Sequence, residues 1–291
     1  MNNLKQLSID MKVSDWEAFI VHVWQMGSEH ARNSLPWRNI DDPYAIWVSE
    51  AMLQQTQVSR VLNYWPVWMN RFPTVDALSS AAPSDVLEAW QGLGYNRRAL
   101  NMKRTADICS AQWQGNMPTS IEDLRTLPGI GPATAAGIVS FAYQRPAVYL
   151  ETNVRAVFLH HFFADEPHPV SDKQLIPLVK HALSGQDPRA WNYALLDYGH
   201  YLKQTYPNPT RKSASYTRQS PFEGSVRQKR SFIVREVLAS PGIDMYALHD
   251  ALCVHEQSTG REAISREDFE NLVSTLESEG FFHRRETNLI P

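Results

Sequence analysis

Apolar residues recur at intervals of three and four positions along most of the chain, which is the spacing of amphipathic helices. In the first part of the chain this spacing predicts helices over residues 14–29, 44–54, 56–70, 83–90 and 97–113. Thr119 and Glu122 have the spacing of a capping box, which predicts a short helix that ends at Leu127. Residues 147–150 are the main strand candidate, but so short an apolar run is equally typical of an extended loop. The pattern therefore predicts a mainly α-helical fold.

The last third of the chain differs in composition. Residues 203–235 contain eight lysines and arginines but a single acidic residue, and they are rich in serine, proline and threonine. Such a composition indicates a linker or a basic arm, which we place at residues 203–230. Residues 231–291 return to helical spacing and then reach a short apolar turn, which suggests a small winged-helix-like module. The helices predicted there cover 231–238 and 267–279.

The chain has 291 residues and a formal net charge of −3, with 43% hydrophobic and 20% charged residues. This composition argues against a uniformly basic nucleic-acid-binding protein, although it does not exclude local basic patches. Without a run of 18 apolar residues or a recognisable signal peptide, we expect a cytoplasmic protein with no membrane contact. Two cysteines, Cys109 and Cys253, are too few for a disulfide framework or a four-thiolate cluster. The ten histidines lack metal-ligand spacing, so no metal is expected.

The segment Leu127–Ala135, with the sequence LPGIGPATA, is the most informative local motif. Gly129 and Gly131 permit a tight turn, and Pro132 suits the first turn of the following helix. Backbone N–H groups exposed by glycines beside a helix N-terminus form an anion site that fits a DNA phosphate. The alternative is a plain corner between two helices, in which the glycines serve only the turn.

This motif and six further segments resemble the helix-hairpin-helix (HhH-GPD) DNA glycosylase superfamily, and most closely its adenine DNA glycosylase branch. The other segments are LPWR with DPY (35–44), WVSEAMLQQTQV (47–58), RFPT (71–74), WQGLGY (90–95), NVR (153–155) and NYALLDYG (192–199). The resemblance implies a two-lobed helix-hairpin-helix fold over residues 1–202, with the hairpin at 119–140. It also implies double-stranded DNA as the partner.

Members of this superfamily flip a base out of DNA and hydrolyse its N-glycosidic bond. The reaction requires a proton for the leaving base and a carboxylate near the cationic sugar, as in two-carboxylate glycoside hydrolysis. Glu50 matches the proton donor of the family. Its neighbours Trp47 and Met52 would partly desolvate it, which raises the pKa of a carboxyl group and suits a general acid. The alternative is a surface glutamate in a salt bridge.

The second carboxylate of the superfamily is an aspartate, but this chain has Glu151, 18 residues after Ala133. The extra methylene displaces the carboxylate by roughly 1.5 Å unless the backbone compensates, and such a displacement is costly for catalysis. Asn153 matches the asparagine that binds near the reacting sugar or water. The alternative is that Glu151 only caps a helix starting at Asn153, with catalysis reduced or absent.

Ala133 stands where bifunctional relatives carry a Schiff-base lysine. Without an amine nucleophile the imine route to strand cleavage is closed, so the resemblance implies a monofunctional enzyme without AP-lyase activity. The resemblance also places Arg38, Leu53, Ala133 and Tyr193 at the base pocket. Ala133 and Tyr193 differ from the residues that contact adenine in relatives, since the alanine leaves room and the tyrosine offers a stacking face and a hydroxyl.

A further departure from the family concerns its iron–sulfur loop. Lys203 stands where the first cluster ligand would be, and no cysteine follows until Cys253, so no cluster or other cofactor is expected. We expect the basic segment to pack the end of the domain instead and to place cations on DNA phosphates. The alternative is a solvated loop. The candidate cations are Arg211, Lys212 and Arg218.

Two loops resemble the parts of the family that insert into DNA. Gln54 and Gln55, beside Leu53, match residues that wedge into the duplex, and Tyr95 matches an intercalating tyrosine. Four cations that follow Tyr95 are candidates for flanking phosphates. These are Arg97, Arg98, Lys103 and Arg104.

The leading hypothesis is a monofunctional, clusterless DNA glycosylase of base excision repair. It would act as a monomer near the nucleoid and remove adenine mispaired with guanine or oxidised guanine. Two alternatives remain open at this point. One is excision of a modified or mispaired pyrimidine, for example hypermodified phage cytosine in antiviral defence. The other is a catalytically silent module that binds DNA structure through the hairpin and the wedge.

Overall fold

A computed structural model describes residues 13–291 of the protein. The N-terminal stretch before them lies outside the described residues, and with it the start of the predicted domain 1–202 and the prediction that no signal peptide is present. In chain order the helices are α1 (Val13–Glu29), α2 (Pro43–Leu53), α3 (Val58–Arg71), α4 (Val75–Ser80), α5 (Pro83–Trp90), α6 (Arg97–Trp113), α7 (Ile121–Leu124), α8 (Pro132–Phe141), α9 (Thr152–Phe162), α10 (Asp172–Leu183), α11 (Pro188–Thr205), α12 (Val226–Ala239), α13 (Met245–Ser258) and α14 (Arg266–Glu279). The strands are β1 (Ile243–Asp244), β2 (His283–Arg285) and β3 (Asn288–Ile290).

The chain forms two units, each built from discontinuous segments. The first unit contains the chain up to Glu50 together with Pro118–Arg218, and the second contains Ala51–Met117 together with Gln219–Pro291. The predicted domain boundaries at residues 202 and 231 therefore change. Residues 51–117 belong with the C-terminal segment, because the two pack around a common apolar core.

In the first unit, α11 packs closely against α9 and α1 at two glycines. A Cβ added at Gly199 would lie 2.1 Å from the carbonyl oxygen of Asn153, and one added at Gly27 would lie 2.5 Å from the Cβ of Ala194. Both contacts are closer than a side chain permits, so any larger residue there would push the helices apart. The contact at Gly199 fixes the N-terminal turn of α9, where two of the predicted site residues lie.

In the second unit, buried tryptophans hold the helices of residues 51–117 together. Trp68 on α3 and Trp90 on α5 lie with ring centroids 5.3 Å apart and ring planes at 81°, and both are almost fully buried. Such edge-to-face pairs contribute about 0.5–1.5 kcal/mol beyond the burial of their area. The tryptophans thus form part of the core around which the loops of this unit are held.

The C-terminal part of the second unit consists of α12, β1, α13, α14 and the hairpin β2–β3. The strands form an antiparallel sheet in the order β1–β3–β2, in which Leu289 of β3 pairs with Ile243 on one side and Arg284 on the other. Leu289 is fully buried and connects the sheet to the helices. This order of elements is compatible with the winged-helix-like module that the sequence suggests.

Two details differ from the predicted local structure. The short helix α7 is capped by Ser120, whose hydroxyl accepts from the backbone N–H of Asp123, rather than by Thr119. The helix also ends at Leu124, earlier than predicted. Residues 147–150 are extended but not paired as a strand, which leaves them as a connection between α8 and α9.

The segment predicted as a basic arm has a packed first half. Because α11 extends to Thr205 and α12 begins at Val226, the irregular stretch is shorter than predicted. A 3₁₀-helix, Pro209–Lys212, leads into a parallel bridge between Val170 and Ser213. The solvated-loop alternative is therefore wrong for this half of the segment, which closes the end of the first unit.

Among the helices of residues 13–291, none is both long and apolar enough to cross a membrane. Over the same residues, histidine, cysteine and carboxylate side chains form no group of three or more that could hold a metal ion.

Candidate active site and DNA-binding loops

Glu50 lies on the last turns of α2, and its carboxyl group is held by residues distant in sequence. The hydroxyl of Tyr149 donates a hydrogen bond to Oε2 of Glu50 over 3.0 Å. Gly137 on α8 provides the space, since a Cβ at that position would lie 2.8 Å from Oε2 of Glu50 and 3.0 Å from the ring of Tyr149. The carboxyl group is thus enclosed by α8 and a buried tyrosine rather than paired in a salt bridge.

This enclosure changes the acidity of Glu50. Burial raises the pKa of the Glu50 carboxyl to about 8, the hydrogen bond from Tyr149 opposes this shift, and the nearby charge of Glu151 adds to it. Burial also raises the pKa of Tyr149 well above its ordinary value, so the phenol keeps its proton and remains a donor. A carboxyl with this pKa carries a proton at neutral pH.

Glu151 caps helix α9. Its Oε1 accepts from the backbone N–H groups of Asn153, at 2.6 Å, and of Val154, at 3.2 Å. This is the capping role that the sequence offered as an alternative, and it leaves the second carboxylate oxygen, Oε2, outside both bonds. The amide oxygen of Asn153 is buried and has no hydrogen-bond partner among the described residues.

Among the charged groups around Glu151, Lys203 lowers the pKa of its carboxyl group most. Burial raises the pKa of Glu151, whereas the charge of Lys203 and the two backbone N–H groups lower it. In turn, burial lowers the pKa of Lys203 and the charge of Glu151 opposes that shift. The position where relatives begin their cluster therefore carries, in this chain, a partly buried cation that favours an ionised Glu151.

Arg38 and Tyr193, both predicted at the base pocket, are in contact. The guanidinium of Arg38 binds Asp197 through two hydrogen bonds of 2.6 and 2.8 Å, and both side chains are buried. The Arg38 guanidinium also lies 4.4 Å from the ring centroid of Tyr193. Because a buried charge without its partner is costly, Asp197 is required to keep Arg38 in place.

The stacking role expected for Tyr193 needs correction. The ring of Phe141 stacks on Tyr193 with centroids 4.6 Å apart and planes at 4°, in addition to the contact with Arg38. The ring of Tyr193 is therefore already packed within the protein, and its hydroxyl is the group it offers to a ligand. Burial raises the pKa of that hydroxyl to about 12, so it is protonated.

The hairpin between α7 and α8 has the predicted form. Gly129 has φ +77°, a conformation that favours glycine, and Gly131 precedes α8 in extended conformation with Pro132 at the first helical position. Nothing lies within 4 Å of the position a Gly131 Cβ would occupy, so the backbone is open to a ligand. Ala133 follows, half-buried, in the first turn of α8.

The predicted wedge residues lie on two loops of the second unit. Gln54 and Gln55 are exposed directly after α2, and Gln55 has φ +55°. Tyr95, in the loop before α6, has φ +50° and keeps 36% of its surface exposed. Such left-handed backbone is uncommon outside glycine, so the tertiary structure must hold both loops in place.

Arg98 holds these loops, which corrects its predicted role. Its guanidinium donates to five backbone carbonyl oxygens at distances between 2.7 and 3.2 Å. These oxygens belong to Ala51, Met52, Gln54, Leu93 and Gly94. A guanidinium used in this way joins the two loops and is not available to a phosphate.

Three other cations also have partners within the fold. Lys103 binds Asp107 at 2.5 Å, and Arg104 donates to the carbonyl oxygen of Glu279 at 2.7 Å. Lys212 donates to backbone carbonyls of the loop after α9, including that of Phe163 at 3.1 Å. The phosphate contacts suggested for these three residues are therefore withdrawn. Arg211 and Arg218 are exposed and stay candidates.

The sequence did not reveal the roles of Gly137, Tyr149 and Asp197. Gly137 carried the clearest signal, because a glycine in the middle of a predicted helix calls for a packing reason. Tyr149 lies in residues 147–150, for which the sequence did not decide between a loop and a strand. Asp197 lies in one of the segments that resemble the family, but the sequence suggested no chemical role for it. Their partners, Glu50 and Arg38, are about a hundred or more positions away along the chain.

Comparisons with known proteins agree with this geometry. A family model described as HhH-GPD superfamily base excision DNA repair protein matches residues 48–176, which include Glu50, the hairpin and Glu151. An adenine DNA glycosylase from Mycolicibacterium smegmatis is 42% identical over 151 residues, covering 51% of this chain and 52% of that protein. The human adenine DNA glycosylase is 32% identical over 223 residues, covering 73% of this chain and 40% of that protein. Residues 48–176 therefore match the HhH-GPD superfamily, and the similarity to the adenine DNA glycosylases supports this placement.

Solved structures show the same fold. The chain matches a thermostable thymine-DNA glycosylase with a TM-score of 0.60 and 20% identity, over 69% of this chain and 93% of the other. It matches endonuclease III, trapped as a covalent intermediate with DNA, with a TM-score of 0.53 and 15% identity, over 75% of this chain and 94% of the other. Its mainly helical HhH-GPD fold is thus confirmed. The chain spans about half the length of the first curated relatives it matches.

Proposed function

We propose that this protein is a monofunctional DNA glycosylase, which hydrolyses the N-glycosidic bond of a base flipped out of double-stranded DNA and leaves an abasic site. The observation that carries the proposal is the carboxyl group of Glu50, with its pKa of about 8 and its fixed hydrogen bond from Tyr149. A protonated carboxyl held in one orientation is what a general acid requires, whereas a module that only binds DNA has no use for it.

In this mechanism Glu50 protonates the leaving base. Since Tyr149 donates to Oε2, the acidic proton resides on the other oxygen, Oε1, which faces the base. As the N-glycosidic bond lengthens, the proton moves from Oε1 to a ring nitrogen of the base, and the bonding electrons leave with the base. Glu50 becomes a carboxylate, which then accepts a proton from the attacking water.

Glu151 stabilises the cationic sugar. The cap bonds to Asn153 and Val154, the N-terminus of α9 and the charge of Lys203 all favour the carboxylate form. The cap also fixes the side chain, so its extra methylene need not displace the functional oxygen. Burial raises the pKa of both carboxyl groups, but only Glu151 has a cation and two backbone N–H groups that oppose the rise, so Glu50 serves as the acid and Glu151 as the cation stabiliser.

Asn153 positions the water or the sugar. Its amide oxygen is buried and has no partner within residues 13–291, which is costly unless a ligand supplies a donor. A water hydroxyl or a sugar hydroxyl would satisfy it. The backbone of Gly131, open at the N-terminus of α8, would bind a phosphate of the same strand.

Ala133 supports the absence of AP-lyase activity. Its methyl group provides no amine for an imine with the sugar, so excision proceeds through water. We expect the protein to act as a monomer, because both carboxyl groups belong to one unit of one chain.

For the substrate, we propose adenine opposite guanine or oxidised guanine, because the relatives named above are adenine DNA glycosylases. The arguments for a different base were the room left by Ala133 and the stacking face and hydroxyl of Tyr193, and the structure bears on the stacking face. The ring of Tyr193 is packed against Phe141 and Arg38, which removes the argument from the stacking face.

The test uses the purified chain and duplexes with adenine opposite guanine or oxidised guanine, and with mispaired or modified pyrimidines. Abasic sites are revealed by alkali. We expect release of adenine, and a fall of about 10²-fold or more in Glu50→Gln with DNA binding retained. The exposed Glu17→Gln is the matched control. Strand cleavage without alkali would exclude a monofunctional enzyme, and equal rates in Glu50→Gln would exclude Glu50 as the acid.

A further inference from the structure

A groove of about 1130 Å³ lies within the second unit. One wall is formed by the loop and first turn of α6 around Tyr95, and the other by the segment from Gln219 to Arg235, which leads into α12. Residues at the end of α14 and after it close one side, and residues 55–60 close another. The groove thus joins a loop that resembles the DNA-inserting part of the family to the C-terminal module, to which no role has been assigned.

The groove is strongly basic in a chain with a net charge of −3. Six arginines contribute to its lining, against one acidic residue, Glu279, whose carboxylate is bound by Arg230 at 2.6 Å. The arginines are Arg60, Arg97, Arg98, Arg227, Arg230 and Arg235. Arg97 is exposed, and 53% of the Arg235 side chain is exposed although its guanidinium also binds Glu236 at 3.0 Å, so both side chains are accessible to a ligand. A concave surface with this charge attracts a polyanion.

Aromatic rings accompany the charges. Tyr95 is 36% exposed and Phe222 is 48% exposed, and both contribute to the groove. Large exposed rings within a basic groove provide stacking surfaces for bases, and this combination is typical of sites for single-stranded nucleic acid. An acidic protein segment would match the charge but would not require the rings.

Both rings are held before any ligand binds. The guanidinium of Arg227 donates to the hydroxyl of Tyr95 at 2.8 Å and to the carbonyl oxygen of Ser220 at 2.7 Å. Gln219 contacts the same hydroxyl. Tyr95 is thus tied to the C-terminal segment through its hydroxyl. The guanidinium groups of Arg98 and Arg227 lie 5.6 and 5.5 Å from its ring centroid, and 36% of the residue stays exposed to a ligand.

The turn that carries Phe222 is fixed separately. The side chain of Gln228 accepts from the backbone N–H of Gly224 at 2.6 Å and donates to Glu223 at 2.8 Å. Lys229 reaches back from α12 to the carbonyl oxygen of Gly224 at 3.2 Å. Because these bonds order the turn in advance, binding at Phe222 loses less conformational entropy.

We propose that this groove is a binding site for a single-stranded segment of DNA. Its phosphates lie on Arg97 and Arg235, and its bases stack on Tyr95 and Phe222. The assignment of DNA rests on the proposed function, since flipping a base unstacks the duplex beside it. The C-terminal module is then part of the DNA-binding surface.

The experiment measures binding of a fluorescently labelled 15-nucleotide DNA strand by anisotropy, with the full chain carrying Glu50→Gln so that no base is released. Phe222→Ala is expected to weaken binding about tenfold. Arg97→Ala is expected to reduce the slope of log Kd against log salt by about 0.7, the value for one phosphate contact on a single strand. Arg285→Ala, on exposed β2 and outside the groove, is the control and should bind like the parent.

Several outcomes would overturn the site. Unchanged binding in both Phe222→Ala and Arg97→Ala, with native thermal melting, would exclude it, and so would an equal loss in Arg285→Ala. If polyglutamate at equal charge displaced the DNA strand, the groove would be a general site for polyanions and not a site for single-stranded DNA. Tighter binding of an RNA strand of the same sequence would exclude DNA as its ligand. Because binding is measured without turnover, a failed excision assay refutes the proposed function and leaves the groove standing.

Discussion

The acidity of Glu50 results from a few atoms. An aliphatic helix face and the ring of Tyr149 remove water from the carboxyl group, and the absence of a side chain at Gly137 leaves just enough room for it. In the part of the chain that the structure describes, no cation forms a salt bridge with it, and burial raises the pKa of Glu50. Glu151 differs because two backbone N–H groups and the charge of Lys203 oppose the rise in its pKa that burial causes.

A pH profile of base release tests this difference. The rate constant under single-turnover conditions should fall about tenfold per unit above pH 8, because Glu50 then loses the proton that it must donate. At low pH the rate should also fall, because Glu151 must be ionised and burial raises its pKa. DNA binding by Glu50→Gln, measured over the same range, separates protonation of the acid from effects on affinity. A rate that increases through pH 8 would contradict the assignment.

At the scale of elements, the position of the active site depends on how helices approach each other. Helix α8 runs past the carboxyl end of α2 with Gly137 between them, and α11 reaches α9 at Gly199. The sequence pattern predicts α2 and α8 but not the contact between them, because helical spacing marks an apolar face and does not specify its partner. Helix α10, which contains Pro177, is not among the helices that the sequence pattern predicts.

Gly137→Ala tests the approach of α8 to Glu50. The added methyl would lie 2.8 Å from Oε2 of Glu50, so the flexible carboxyl must move. We expect base release to fall about 10²-fold, since a displacement of about 1 Å has that effect, while stability stays level or rises by up to about 1 kcal/mol from helix propensity.

Ser140→Ala is the matched control for this variant. It also changes one heavy atom on α8, and it removes a buried hydroxyl that has no hydrogen-bond partner among the described residues. Rates and melting temperatures of both variants provide the comparison. If Gly137→Ala retains full activity, the close packing of α8 does not position the acid.

At the scale of the whole molecule, the protonated Glu50 makes folding depend on pH. The pKa of Glu50 is about 8 in the folded protein, whereas its ordinary value is near 4.5. Between pH 4.5 and pH 8, Glu50 therefore holds a proton in the folded protein that it has released in the unfolded chain. The unfolded state therefore binds fewer protons, and stability falls as the pH rises through this interval. The burial of Glu50 therefore lowers the free energy of unfolding, and this loss of stability increases toward pH 8.

The stability of Glu50→Gln checks this cost. The neutral amide removes the titration, so the variant should gain stability over the parent from pH 5.5 to pH 8.5, by an amount on the order of a few kcal/mol. Urea unfolding at both pH values measures it, with Glu17→Gln as control. A constant difference between variant and parent would mean that Glu50 titrates alike in the folded and unfolded states.

The sequence alone determined which chemical groups the protein has. Glu50, the glycines of the hairpin and the alanine at position 133 are local features, and helical spacing is a local consequence of 3.6 residues per turn. The tertiary structure decided what those groups do. It raised the pKa of Glu50 by burying its carboxyl group, joined two loops through Arg98, which the sequence had suggested as a phosphate ligand, and covered the ring of Tyr193. These outcomes depend on which distant residues share a buried space, and burial and charge act through distance in space rather than along the chain.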